Sequence, residues 1–145
     1  MTRRVLINGF EPVSRKESPV WDAKKRKDFE VHTFNNDLKL LPYSSRHYEM
    51  HELSAWEHPV DDSTRDENYL AALRKGFGVP VYHLRKTLKI KDSIAYPRDK
   101  MARYFFGDSP PYFTNSFSYM LALAIYEKVD EIHFYGVDMS RDHEN

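Results

Sequence analysis

The sequence predicts an α/β domain: a mainly parallel sheet with helices packed against it. Three observations predict it. Strand-like and helix-like patterns alternate from Val5 to Asp138, the order expected of strand, crossover, strand units with right-handed connections. The 145 residues hold no internal repeat and no Pro-, Gly- or Ser-rich linker, so residues 1–145 are expected to fold as a single domain. The best-defined helix, opened at Thr114, feeds directly into an apolar strand at Ile132.

In chain order, Val5-Leu6-Ile7 is a short buried strand that stops at the turn formers Asn8-Gly9. Ser18-Pro19 has the form of an N-cap followed by Pro in the first helical position, predicting a helix through Lys25. Phe29 to Phe34 alternates, is rich in β-formers and ends at Asn35-Asn36. His47 to Leu53 is a third strand candidate. Asp61-Asp62-Ser63 opens a helix that carries Tyr69, Leu70 and Leu73 and closes at Gly76. Val79 to Leu84 is a fourth strand, with Pro80 confined to its start. Pro97 to Phe106 is a helix closed by Gly107. From Thr114-Asn115-Ser116, residues Phe117, Met120, Leu121, Ala124 and Ile125 fall at helical spacing, and the following strand Ile132 to Tyr135 ends in Gly136-Val137-Asp138.

Composition narrows the function classes. With 22 Lys+Arg against 22 Asp+Glu the chain lacks the basic excess that gives proteins an electrostatic grip on nucleic acid or anionic lipid. The run Lys24-Lys25-Arg26-Lys27 is flanked by Asp22 and Asp28 and suits a solvated face. The absence of Cys removes disulfides, thiolate nucleophiles and Cys-type metal sites. No apolar run approaches the roughly 18 residues of a membrane span, and Met1-Thr2-Arg3-Arg4 leads into no apolar region long enough for a signal peptide. No membrane association is therefore expected, and the expected setting is cytoplasmic, the cytosol or an assembly made in one. Only 5 Gly argue against a glycine-rich phosphate loop.

In a parallel sheet all strands end on one side, and ligands collect outside those carboxyl ends. The residues to weigh are therefore Asn8, Gly9, Asn35, Asn36, His51, Glu52, Gly136 and Asp138, together with the helix N-terminus at Thr114, Asn115 and Ser116, whose free N–H groups suit a phosphate. Each also has a plain structural role: Asn8-Gly9 as a turn, Thr114 to Ser116 as caps. Asp138 and Asp142, with His143 and Glu144 nearby, supply oxygen and nitrogen atoms that a Mg²⁺–nucleotide complex could use, although their spacing matches no strict metal motif. His51, beside Glu52, is a candidate general base, and Asp138 a second candidate catalytic group. Tyr112-Phe113 could stack on a base.

The stretch Tyr112-Phe113-Thr114-Asn115-Ser116-Phe117-Ser118-Tyr119-Met120-Leu121, continuing through Asp130-Glu131-Ile132 to Tyr135-Gly136-Val137-Asp138-Met139, resembles Rossmann-like proteins of bacteriophages and prophages. It is similar, more distantly, to the sialyltransferase-like fold and to the pterin diphosphokinase-like family, in which a small polar turn opens a helix and the next strand closes with Gly-Ile/Val-Asp. Val5 to Pro12 resembles a loosened Gly-Asn-Gly-Pro-Ser nucleotide-binding turn, and Thr33-Phe34-Asn35-Asn36 the turn ending the second strand. The resemblance implies a Rossmann-like three-layer sandwich that binds a nucleotide or nucleotide-sugar at Asn8, Gly9, Asn35, Thr114, Asn115, Ser116, Gly136 and Asp138, with a glycosyltransferase activity of the sialyltransferase-like type. It also implies a further helix and strand beyond Asp138, so a sheet truncated at its C-terminal side is expected, with an exposed face open to self-association or to a phage or host protein. The same resemblance implies the infected host's cytoplasm or the virion as location. The alternative is a non-catalytic phage structural or host-interaction protein that keeps the scaffold.

Overall fold

The computed structural model describes residues 1–39, 41–57 and 66–137. Among these, strands β1 (Arg4–Asn8), β2 (Glu30–Phe34), β3 (Arg46–Glu49), β4 (Val81–His83), β5 (Ser93–Ala95) and β6 (Glu131–Tyr135) form one sheet in the order β5-β4-β3-β2-β1-β6. Every neighbouring pair is parallel, including β1 with β6, in which Val5 faces Ile132. The helices are α1 (Pro12–Arg15), α2 (Ser54–Glu57), α3 (Glu67–Lys75), α4 (Arg98–Phe106) and α5 (Ser116–Tyr126). The fold is an α/β Rossmann-like sandwich.

Strand alternation separates the two faces. Val5 and Ile7 of β1 and Tyr48 of β3 point into a core with Met101 of α4 and with Met120 and Leu123 of α5. Leu6 and Val31 point to the opposite face, where Val20 covers them, and Val81 packs there against Tyr69, Leu70 and Leu73 of α3. The chain adds β2 to β5 outward from β1 in one direction, then returns through α4 and α5 to place β6 on the other side of β1. Right-handed crossovers in opposite directions put their helices on opposite faces. The reversal falls between β1 and β6, the place where an open parallel sheet leaves a crevice at its carboxyl edge.

The orientation of α5 follows from its two ends. Arg46, at the start of β3, makes paired hydrogen bonds of 2.9 and 3.1 Å to Glu127 just past the helix, fixing its C-terminal end at the amino edge of the sheet. Its N-terminal end consequently lies at the carboxyl edge.

Several expectations are corrected. The helix expected after Ser18-Pro19 is two 3-10 turns, Pro19–Trp21 and Lys25–Asp28; the Asp22 carboxylate accepts the N–H groups of Lys24 and Lys25, an alternative to continued helix. Ser18 nevertheless caps the first of them through Val20 N–H. The residues Asp61, Asp62 and Ser63 lie outside the described residues, and α3 is capped instead by Asp66. Strand β5 and the one-turn helices α1 and α2 carry too little pattern to be read in advance. Helix α5 packs through Met120, Leu123 and Ala124 with Phe117, whereas Leu121 is half-buried and Ile125 exposed. This segment is apolar nearly all round, so its spacing does not select one face.

Candidate functional site

The carboxyl ends of β1 and β6 are locked together by two glycines. Gly9 N–H donates to Tyr135 O at 2.7 Å, Glu11 N–H to Gly136 O at 2.8 Å, and Gly136 N–H to Ser14 Oγ at 2.8 Å. A Cβ on Gly9 would stand 2.3 Å from Gly136 O, and one on Gly136 would stand 2.5 Å from Gly9 O. Gly136 also adopts φ +69°, a left-handed conformation that Gly tolerates without a Cβ clash.

Around this junction opens a cleft of about 760 Å³. Gly9, Asn35, His51, Thr114, Asn115, Ser116 and Gly136 all line it, residues that are far apart in sequence. Asn8 does not. As the last residue of β1 it points the way of Leu6, away from α5, and is fully buried, with neither side-chain atom hydrogen-bonded among the described residues. Asp138 and Asp142, the candidate metal ligands, lie outside the described residues, and the described residues contain no cluster of three or more metal-ligating side chains.

Helix α5 opens into this cleft. Asn115 Oδ1 accepts Ser118 N–H at 2.9 Å while Ser118 Oγ accepts Asn115 N–H at 3.3 Å, a reciprocal capping box. The N–H groups of a helix's first turn have no partner within the helix. Ser116 and Phe117 carry two of them and both line the cleft. Asn115→Ala removes the box, and an expected loss of about 1 kcal/mol, checked by denaturant unfolding, follows from the usual worth of an N-cap.

The third wall is His51. Its Nδ1 lies 3.0 Å from Glu49 Oε1, and its side chain is 47% exposed while that of Glu49 is fully buried. Glu49 also accepts Trp56 Nε1–H at 2.9 Å and the Tyr69 hydroxyl at 2.6 Å. Burial by itself pushes the Glu49 carboxyl up, but these donors outweigh burial and hold it below the usual carboxylate range. The bond to Glu49 raises His51, against a smaller opposing effect of burial. Behind them, Tyr69 OH lies 2.8 Å from His47 Nε2, and His47 Nδ1 lies 2.8 Å from Thr33 Oγ1. Burial lowers His47 to about 4, so it is neutral near pH 7. The one Tyr69 proton goes to Glu49, so its oxygen accepts from His47 Nε2–H, and His47 Nδ1 takes the Thr33 proton. With its buried acceptor fixed in this way, Glu49 orients His51 so that Nε2 carries no partner among the described residues.

Glu49, Trp56 and Tyr69 were not read from the sequence as site residues; Glu52, the neighbour singled out, is instead paired with Arg85 on the surface. A signal existed. His47, Glu49 and His51 alternate, which puts all three on one face of a strand, and a polar stripe on a buried strand face requires partners.

Aromatic side chains complete the cleft: Phe10 packs edge-on against Phe34, with centroids 5.5 Å apart, and Phe117 lies nearby. No Lys or Arg is among the described lining residues, and the Glu11 carboxylate is taken up by the N–H groups of Val13 and Ser14 at the start of α1. Comparison with known proteins finds no matching family model, no matching curated protein and no matching solved structure. Among the described residues, no helix is long and apolar enough to cross a membrane.

Proposed function

We propose that the cleft binds a nucleotide or nucleotide-sugar, the phosphate at the first turn of α5 and the base among Phe10, Phe34 and Phe117. The observation that carries this reading is the convergence of a close-approach glycine pair and a capped helix N-terminus on one crevice at the reversal point of a parallel sheet. Two glycines let the backbone come close to a ligand, the helix end supplies N–H donors and partial positive charge, and ring faces offer stacking. The lack of lining Lys or Arg among the described residues favours a ligand with one phosphate over a di- or triphosphate, because a helix end alone offsets only about half a charge. A sugar conjugate of a nucleoside monophosphate meets that limit, which supports a glycosyltransferase reading.

The test is a thermal-shift panel of CMP, UMP, ATP and their sugar conjugates, with and without Mg²⁺. A ligand at about 100 times its Kd stabilises by about 2.7 kcal/mol, which for a chain of this length raises Tm by about 5 to 10 °C. Monophosphates and their sugars are expected to shift Tm, and ATP less. No shift with any member contradicts the proposal. A second reading, a scaffold that meets another protein, is favoured by the edge position of β6 and the exposure of Phe134 and Ile125; it predicts self-association or partner capture with no nucleotide-dependent shift.

A further inference from the structure

A second pocket, of about 260 Å³, adjoins the main cleft and is walled by Phe10, Asn35, Asn36, His51, Ala55 and Trp56. Phe10, Asn35 and His51 wall both spaces, so the His51 ring stands at their junction. The Trp56 ring is fixed by its bond to Glu49 and by edge contacts to Tyr69 and His51 at 5.1 and 6.2 Å between centroids. Asn35 Oδ1 is buried and accepts no hydrogen bond among the described residues, which leaves it in need of a donor. Fixed aromatic faces beside amide groups suit a small ring that is apolar on its faces and carries hydroxyls at its edge, the chemistry of a carbohydrate.

We infer that the smaller pocket is an acceptor subsite for a hydroxyl-bearing ring, and that His51 is the general base that takes the proton of the acceptor hydroxyl. This rests on the reading of the main cleft as the place of a nucleotide-sugar donor. The hydroxyl oxygen forms a bond to the anomeric carbon, the bond from that carbon to the phosphate oxygen breaks, and the nucleotide leaves with the electron pair. The hydroxyl proton goes to His51 Nε2, and the imidazolium is stabilised by Glu49 at Nδ1. Half exposed, the ring then returns its proton to solvent. Glu49 is a positioning residue: it never meets the substrate, and it sets the tautomer and direction of His51.

The test follows nucleotide release from the same panel of nucleotide-sugars, with and without a mixture of methyl glycosides as acceptors, beside the binding measurement. Methyl glycosides are expected to accelerate release by the wild type. Ala55 is exposed on α2, so Ala55→Phe fills the small pocket without disturbing the core; it is expected to abolish that acceleration while nucleotide affinity stays within threefold. His51→Gln is expected to slow release by about 10² to 10⁴-fold, the usual worth of general base catalysis, again with affinity retained. Among the described residues, the titratable groups around His51 are Glu49 and, behind it, Tyr69 and His47; Glu52 is held by Arg85, and Glu11, which also lines the cleft, by α1. Glu49→Gln therefore moves the acid limb of the pH profile to lower pH, a readout that a structural role would leave unmoved. Nucleotide binding without release by the wild type leaves the cleft reading intact and overturns this inference, as does acceleration that survives Ala55→Phe or release that survives His51→Gln. No binding of any panel member overturns both.

Discussion

Gly9→Ala is expected to destabilise the protein by about 3 kcal/mol or more, at or above the top of the range for overpacking, and to lower Tm by about 10 °C for a domain of this length. The added methyl would sit 2.3 Å from the carbonyl oxygen of Gly136, a backbone atom that cannot step aside without moving β6. Gly136→Ala meets the reciprocal contact, at 2.5 Å from Gly9 O, and adds the strain of φ +69°. Both substitutions force apart the same pair of backbone segments, so the double variant should lose less than the sum. Gly107→Ala is the control: its φ is +59° but nothing lies within 4 Å of the added methyl, so only a backbone cost of about 1 kcal/mol is expected. Thermal melts of the four proteins decide the matter. A Tm of Gly9→Ala within 2 °C of Gly107→Ala, on the scale of about 2 to 4 °C per kcal/mol, would contradict the close approach of β1 and β6.

Asp37→Asn is expected to stabilise the protein, and increasingly so as pH rises. The Asp37 carboxyl is fully buried in the 3-10 turn after β2, neither oxygen is hydrogen-bonded among the described residues, and Arg15 stands 3.8 Å away, too far for a hydrogen bond. Burial pushes this carboxyl up from 3.8 to about 7, only partly offset by Arg15. A carboxyl whose pKa is higher in the folded state keeps its proton there while the unfolded chain has released it. Its stabilising contribution is therefore whole below about pH 4 and is lost as pH rises through about 7. The rise from 3.8 to about 7 corresponds to at most about 4 kcal/mol. Asn removes the titration, so variant and wild type should differ little at pH 4 and by up to about 4 kcal/mol at pH 8 in urea unfolding. A difference that is flat across this range would show that Asp37 finds a partner when ionised.

The fold was legible because its signals are local and repeated. Turn formers close each longer strand, as Asn8-Gly9, Asn35-Asn36 and Gly136 do, and the parallel order followed from the alternation of elements. Strand β5 escaped because three residues, Ser93-Ile94-Ala95, carry no period, and the 3-10 turns after Ser18 escaped because Asp22 redirects the backbone through its side chain. The cleft was legible for a topological reason: parallel strands end together, so Gly9, Asn35, His51 and Gly136 had to meet there. Asn8 was misplaced by one step of the strand alternation, which turns its side chain to the opposite face. Glu49 was missed because a carboxylate inside a strand looks solvent-facing until the residues that cover it are known. Trp56 and Tyr69 cover it from α2 and α3, and no spacing in the chain announces that meeting.

The most direct measurement of the central claim is a titration of the ¹⁵N-labelled protein with CMP and with a CMP-sugar, followed through backbone amide shifts. Binding at the reversal point predicts that the shifts concentrate at Gly9, Phe10, Asn35, His51 and the first turn of α5 from Asn115 to Phe117, with the His51 amide perturbed more by the sugar conjugate than by CMP. A second cleft of about 790 Å³ at the other end of β4 and β5, lined by Arg74, Lys86 and Lys91, offers the electrostatic alternative for a phosphate. Shifts confined to those basic residues, with the amides of Ser116 and Phe117 unmoved, would contradict the account.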